Sequence, residues 1–365
     1  SLTYTLDAMG NRTQEQIKDP SNALTQTRQR VYDALNRLYQ SIGAQAQTTT
    51  YAYDANGNLT SVTDPLLHST LNGYDALNRL IAVIDPASGN TQLRYNGQDR
   101  LTQVIDPRTL VTSYTLDGLG NQTQQVSPDT GNTSNTYDTA GNVLTHTDAR
   151  GKTATYTYDA LNRVTSIGYG TNNPSNVTYS YDATDSGNFG IGRRTGMTYS
   201  GGSTQWRYDD RGRVIQTKTT STNTVRITGY SYNSAGQLVA IAYPSGKVVG
   251  YGYDGAGRVS SVSVDGDALA SNIAYQPFGA PQIWTWGDGS RMTRSFDADG
   301  RMTSHTLGTA TRHLVYDAAS RLTQIDDGTA PTTTTYAYDS LDRLTGYVAN
   351  STYQSYAYDA NGNRT

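Results

Sequence analysis

The sequence predicts an all-β chain, a repeat strip of antiparallel β-hairpins spiralling into a hollow shell, cocoon or tube. Three observations predict it. A Tyr-Asp pair or a close variant recurs at Tyr32, Tyr53, Tyr74, Tyr95, Leu116, Tyr137 and Tyr158, six steps of 21 residues in succession. The recurrence continues with gaps of 20 to 27 residues through Tyr181, Tyr208, Tyr232, Tyr253, Tyr275, Phe296, Tyr316, Tyr338 and Tyr358. Self-similarity at such a period means one supersecondary unit stacked on its neighbours, so residues 1–365 are expected to form a single array of about 16 repeats of roughly 21 residues. The other two observations are the residue that follows each Asp by three positions, and a composition poor in aliphatic side chains.

Each repeat begins with a strand. In Thr153-Ala154-Thr155-Tyr156-Thr157-Tyr158 the Thr/Tyr alternation has the period of two that gives a strand two distinct faces. The turn follows. Three residues beyond the Asp stand Gly57, Gly141, Gly257 or Gly362 in some repeats and Asn36, Asn78, Asn162, Asp99 or Asp342 in others, with Ser320 the exception. These residue types tolerate a left-handed backbone, as a type I turn closed by an αL residue requires. The Asp can accept hydrogen bonds from the amides just ahead of it, an Asx turn. Asp54 with Gly57, Asp138 with Gly141, Asp159 with Asn162 and Asp254 with Gly257 are therefore read as structural turn residues. Val164 and Ile167 open the return strand, and a further turn such as Asp85-Pro86-Ala87-Ser88-Gly89 or Asp148-Ala149-Arg150-Gly151 joins each hairpin to the next.

At a spacing of about 4.8 Å, roughly 32 strands would extend about 150 Å, and twist must coil so long a strip. Closed into one circle it would be about 50 Å across, wider than side chains can fill. Composition agrees with a thin wall: hydrophobic residues are 35% of the chain, 29 residues are Tyr, and only 16% are charged. That is too little aliphatic material for a solid globule, and too little charge for a disordered chain. A row of tyrosines, Tyr32, Tyr53, Tyr74, Tyr137, Tyr158, Tyr253, Tyr338 and Tyr358 among them, is expected to stack from repeat to repeat along that wall.

The units resemble Rhs, or YD, repeats. The motif Tyr-Asp-x-x-Gly-Arg-Leu is matched at Tyr253-Asp254-Gly255-Ala256-Gly257-Arg258-Val259 and approached at Tyr53-Asp54-Ala55-Asn56-Gly57-Asn58-Leu59. Such repeats occur in bacterial polymorphic toxins, the C component of Tc toxin complexes, wall-associated proteins and teneurins. The resemblance implies a spiral shell that in toxin members encloses a C-terminal effector. It thus implies a secreted or cell-surface bacterial protein whose partners are flanking parts of the same polypeptide or the enclosed effector. The family's cleaving Asp-Pro-x-Gly-Leu core is not matched: Asp64-Pro65-Leu66-Leu67, Asp85-Pro86-Ala87-Ser88 and Asp106-Pro107-Arg108-Thr109-Leu110 lack the Gly. The first and last residues both fall within repeats, so the chain reads as a fragment of a longer one.

Other chemistry finds little support. A net charge of −3 offers nothing to neutralise phosphates, so no nucleic-acid partner is expected, and no apolar run suggests a membrane span. There is no cysteine, which removes disulfides and thiolate catalysis. His68, His146, His305 and His313 are scattered, so a metal site would need long-range convergence; no metal, cofactor or catalytic residue is assigned. Asp54-x-Asn56-x-Asn58, Asp297-x-Asp299 and Asp359-x-Asn361-x-Asn363 resemble the start of a calcium loop but lack its closing Glu. The recurrent arginines after the αL slot are assigned to stacking on Tyr or pairing with a neighbouring repeat's Asp. Trp206, Trp284 and Trp286, with Phe189 and Phe278, form a possible ligand platform. This supports the alternative of a carbohydrate-binding or adhesin surface that recognises cell-surface glycans; an open-ended tube or filament is the third reading. The expanded turn at residues 184–194 is the best place for a loop with its own task.

Overall fold

The computed structural model describes residues 1–171, 173–328 and 333–365. Among them are 33 β-strands and one three-residue helical turn, Asp185–Gly187. Contacts divide the chain into two units. The first holds Ser1–Tyr95, Gln103–Val111 and Asn272–Thr365, and the second Asn96–Thr102 and Thr112–Ser271.

In the first unit the strands from Leu2–Leu6 to Asn90–Tyr95 form one antiparallel meander. A second meander runs from Pro281–Trp286 to Thr352–Ser355. The strands from Val111–Leu116 to Asp267–Tyr275, whose residues 112–271 make up most of the second unit, pair consecutively in the same way. Consecutive antiparallel pairing is the simplest outcome for strands joined by tight turns, because each ladder closes only a short loop.

Burial is shallow throughout. Ile17, Ala154, Ala270 and Trp284 are the only buried hydrophobic residues among those described, and no side chain is fully buried. The accessible surface is 21058 Å², against about 14,000 Å² expected for a compact monomer of this mass. Hydrophobic burial therefore does less of the work than it would in a globule.

Hairpin geometry explains how so thin a sheet is specified. In the repeat at residues 153–168, Tyr156 faces Ile167 and Thr157 faces Ser166, but Tyr158 faces Val164, so the return strand carries one extra residue, Thr165. The same shift falls at Tyr32, Tyr53, Tyr74, Tyr137, Tyr253 and Tyr338. A bulge of this kind bends the strand and increases its twist, and here it recurs at the tyrosine of every such repeat. The sequence pattern carries no sign of it, since Thr60 and Thr165 look like ordinary strand residues.

Candidate functional site

The recurring Tyr-Asp element is the feature around which the chain is organised. At Asp54 the amide bonds Asn58 O at 3.0 Å and Gly57 N returns to Asp54 O at 3.1 Å, a three-residue loop with Gly57 at φ 90°. Asp138, Asp159 and Asp254 make the same pair of bonds, with Gly141 at φ 86°, Asn162 at 59° and Gly257 at 79°. Ser320, which departs from the residue rule, is in the αL region too, at φ 67°.

The turn carboxylates of Asp54, Asp138, Asp159 and Asp254 accept hydrogen bonds from their own hairpins. Asp159 Oδ1 accepts from the amides of Leu161 and Arg163 at 2.9 and 3.0 Å, and Oδ2 accepts from Arg163 Nε at 2.7 Å. Asn58 and Asn142 take the place of the arginine at Asp54 and Asp138, donating from Nδ2 at 2.9 Å. These bonds to the charged form hold the carboxyls below the usual range: Asp254 and Asp159 chiefly through the amide of the Arg four residues on, Asp54 and Asp138 chiefly through the Asn side chain.

The tyrosine reaches the other way. Tyr53 Oη donates to Leu38 O at 2.9 Å, Tyr74 to Leu59 O at 3.1 Å, Tyr137 to Gln122 O at 2.7 Å, Tyr158 to Val143 O at 2.8 Å and Tyr253 to Leu238 O at 2.6 Å. In each case the acceptor opens the return strand of the preceding hairpin. Tyr338 and Tyr358 do the same toward Leu322 and Leu344, and Tyr32 toward Arg12 at 3.3 Å. Partial burial raises the pKa of Tyr53, Tyr158 and Tyr338, which keeps the hydroxyl a donor.

The expected stack of tyrosine on tyrosine is corrected by this geometry. None of the ring–ring contacts found among the described residues joins two tyrosines of the row. An arginine fills the interval instead: Arg37 lies 4.6 Å from the centre of the Tyr53 ring, Arg321 4.9 Å from Tyr338 and Arg343 4.8 Å from Tyr358. Repeats are a bulge and a return strand apart, too far for ring contact, and a guanidinium spans the gap. The same arginine pairs with the Asp of its own hairpin, and its Nη1 donates to the backbone oxygen of the next turn Asp, Arg37 to Asp54 O at 3.1 Å and Arg343 to Asp359 O at 3.1 Å. One side chain thus ties two hairpins by three kinds of contact; the stacking on Tyr is the one the sequence suggests, while the pairing with the Asp of its own hairpin is not.

The inter-repeat turns have the same backbone, which the sequence does not announce. Asp85 N bonds Gly89 O and Ser88 N bonds Asp85 O, both at 2.9 Å. The αL slot there is held by Leu67, Ser88 and Thr109, each at φ 67°. These residues pay an αL penalty of about 1–2 kcal/mol, which the fixed φ of the preceding proline and the Asp hydrogen bonds offset.

The aromatic residues divide between the two units. Trp284 is buried at 9% exposure, meets Trp286 edge-on at 5.5 Å and lies under Arg294 at 4.7 Å; Trp286 is 38% exposed. Trp206 is in the other unit, with Arg194 over its ring at 4.9 Å. The expanded turn is tied down: Asn188 bonds Trp206 O and Tyr208 N, and Asp182 pairs with Arg163 at 2.6 Å.

Contacts far apart in sequence occur within the first unit. Asp299 accepts from Ala44 N at 2.7 Å and Gln47 Nε2 at 2.5 Å, Thr27 N donates to Ala298 O at 2.9 Å, and Arg108 meets Asp359 at 3.2 Å. Asn361 donates to Asp106. Two of the three strings that resemble calcium loops therefore spend side chains on this seam. Asp64, His68 and Asp342 also converge here, with one ligand atom from each lying within 4.8 Å of the others.

A wall of hairpins stapled edge to edge by Tyr, Arg and Asp defines a repeat-shell protein. The family model described as Teneurin YD-shell matches residues 1–185 and that described as RHS Repeat matches residues 232–268. The chain belongs to the YD-shell family. Among solved structures it is similar to the TcdB2-TccC3-Cdc42 crystal structure, with a TM-score of 0.85 at 17% identity over 99% of this chain and 23% of that one. The Photorhabdus luminescens Tc holotoxin pore gives a TM-score of 0.79 at 17% identity, over 93% of this chain and 21% of that one. The chain thus spans under a quarter of the length of these structures, and at such identity the likeness is one of fold. No curated protein matches it in sequence. Among the described residues no helix is long and apolar enough to cross a membrane.

Proposed function

We propose that the chain is a wall segment of a secreted or cell-surface bacterial shell that encloses a C-terminal toxin effector carried by the same polypeptide. The observation that carries this reading is the repeat clasp. The residues most regularly placed in the sequence, Tyr, Asp and Arg, are spent on closing each hairpin and joining it to the next, which is what a wall requires. The shallow burial of the sheet supports it, since such a sheet is built to divide two spaces. Family membership and the shared fold supply the remaining support. A glycan platform is not favoured, because the Trp284 face is buried beneath Arg294.

Limited proteolysis of the full polypeptide tests the reading. The effector region is expected to resist cleavage while the shell is folded and to be degraded once the shell is unfolded in denaturant. Equal cleavage of the effector in both states would overturn it.

A further inference from the structure

We propose that Asp64, His68 and Asp342 bind a first-row divalent cation of the zinc class, which clasps two stretches of the strip that lie more than 270 residues apart in sequence. Asp64 and His68 begin and end one inter-repeat turn, and Asp342 occupies the αL slot of a Tyr-Asp turn in the second meander of the same unit. Two carboxylates and an imidazole are a donor set that such cations accept, and they arrive here from opposite sides of the seam.

The geometry of the pair on the turn is already that of adjacent ligands. His68 Nδ1 and Asp64 Oδ2 are 3.2 Å apart. Two donors at that separation, each about 2.1 Å from a metal, subtend an angle of about 100°, between the tetrahedral and octahedral values. Asp64 Oδ1 is fixed by the amides of Leu66 and His68 at 2.8 Å each, so Oδ2 is held in place. Asp342 gives Oδ1 to Arg321 Nη1 at 2.9 Å, which leaves Oδ2 for a ligand. Its side chain is 56% exposed, so it is free to close the remaining distance. A groove of about 310 Å³ bordered by Asp64, Asp342, Asp299, Gln47, Arg28 and Arg301 admits the waters that would complete the coordination sphere.

The rest of the chain shows that none of this is needed for the turn itself. The position of His68 is filled by Asn58, Asn121 and Asn142 in other hairpins, each bonding its Asp from Nδ2 at 2.9 Å. Asn36, Asn78 and Asn162 fill the slot of Asp342 at φ 59° to 61°. An imidazole at one site and a carboxylate facing it from the other are what set this place apart.

That pattern supplies variants that keep the fold. His68→Asn and Asp342→Asn should melt like the parent chain in chelator. Zinc chloride titrated into the chelator-stripped full chain by calorimetry should bind at one ion per chain. Each variant should weaken it about tenfold or more, and zinc should raise the melting midpoint of the parent chain alone. Calcium should not compete, because imidazole is a poor ligand for it. No saturable zinc binding, zinc binding equal in both variants, or displacement by calcium at comparable concentration would each overturn the proposal.

Discussion

Tyr253 shows what a single residue contributes. Its hydroxyl bonds Leu238 O at 2.6 Å and is the one polar link from that side chain to the preceding hairpin. Tyr253→Phe should therefore lose about 0.5–1.5 kcal/mol in a urea melt with an unchanged slope. Gly257 is the complementary case. At φ 79° an added Cβ would stand 3.0 Å from Gln237 Nε2, and Gly257→Val should cost about 1 kcal/mol or more, while Gly257→Asn should cost less, since Asn162 occupies the same conformation. The αL slot was legible in the sequence because only a few residue types suit it. The tyrosine's acceptor was not, because a backbone oxygen 15 residues upstream leaves no mark on the side-chain pattern.

At the scale of the element, two hairpins are coupled through one arginine. Arg321 pairs with Asp317 at 2.7 Å, donates to Asp339 O at 3.1 Å and covers the Tyr338 ring at 4.9 Å. A double-mutant cycle on Arg321→Ala and Tyr338→Leu should return a coupling of about 0.5–2 kcal/mol; additive losses would mean that the stack is incidental. Strand order and hairpin form were readable from period and turn chemistry. The bulge opposite each tyrosine and the twin backbone of the two turn classes were not. Thr165 alternates like any strand residue, and Leu67 or Thr109 in an αL slot contradicts residue preference and is held there by the Asp-Pro before it.

For the whole molecule, stability spread over many equivalent clasps should give a characteristic response to pH. Hydrogen bonds to their charged form hold turn carboxyls such as Asp54, Asp138, Asp159 and Asp254 below the ordinary aspartate value of 3.8 in the folded chain. Their contribution is complete above that value and is lost as pH falls through the lower, folded one. Tyr53, Tyr158 and Tyr338 are raised above 10.0, so theirs is complete below 10 and is lost as pH rises beyond it. Melting midpoints should be level between about pH 5 and 9 and fall on both sides. Seam contacts such as Asp299 with Gln47 could not be read from the sequence, because they join segments 252 residues apart that share no periodic relation.

Electron cryo-microscopy of the full polypeptide that carries this strip tests the central claim most directly. The account predicts hairpins in the wall of a closed particle, with separate density for the effector inside it. A particle with no lumen, an open-ended filament, or an effector held on the outer surface would contradict it.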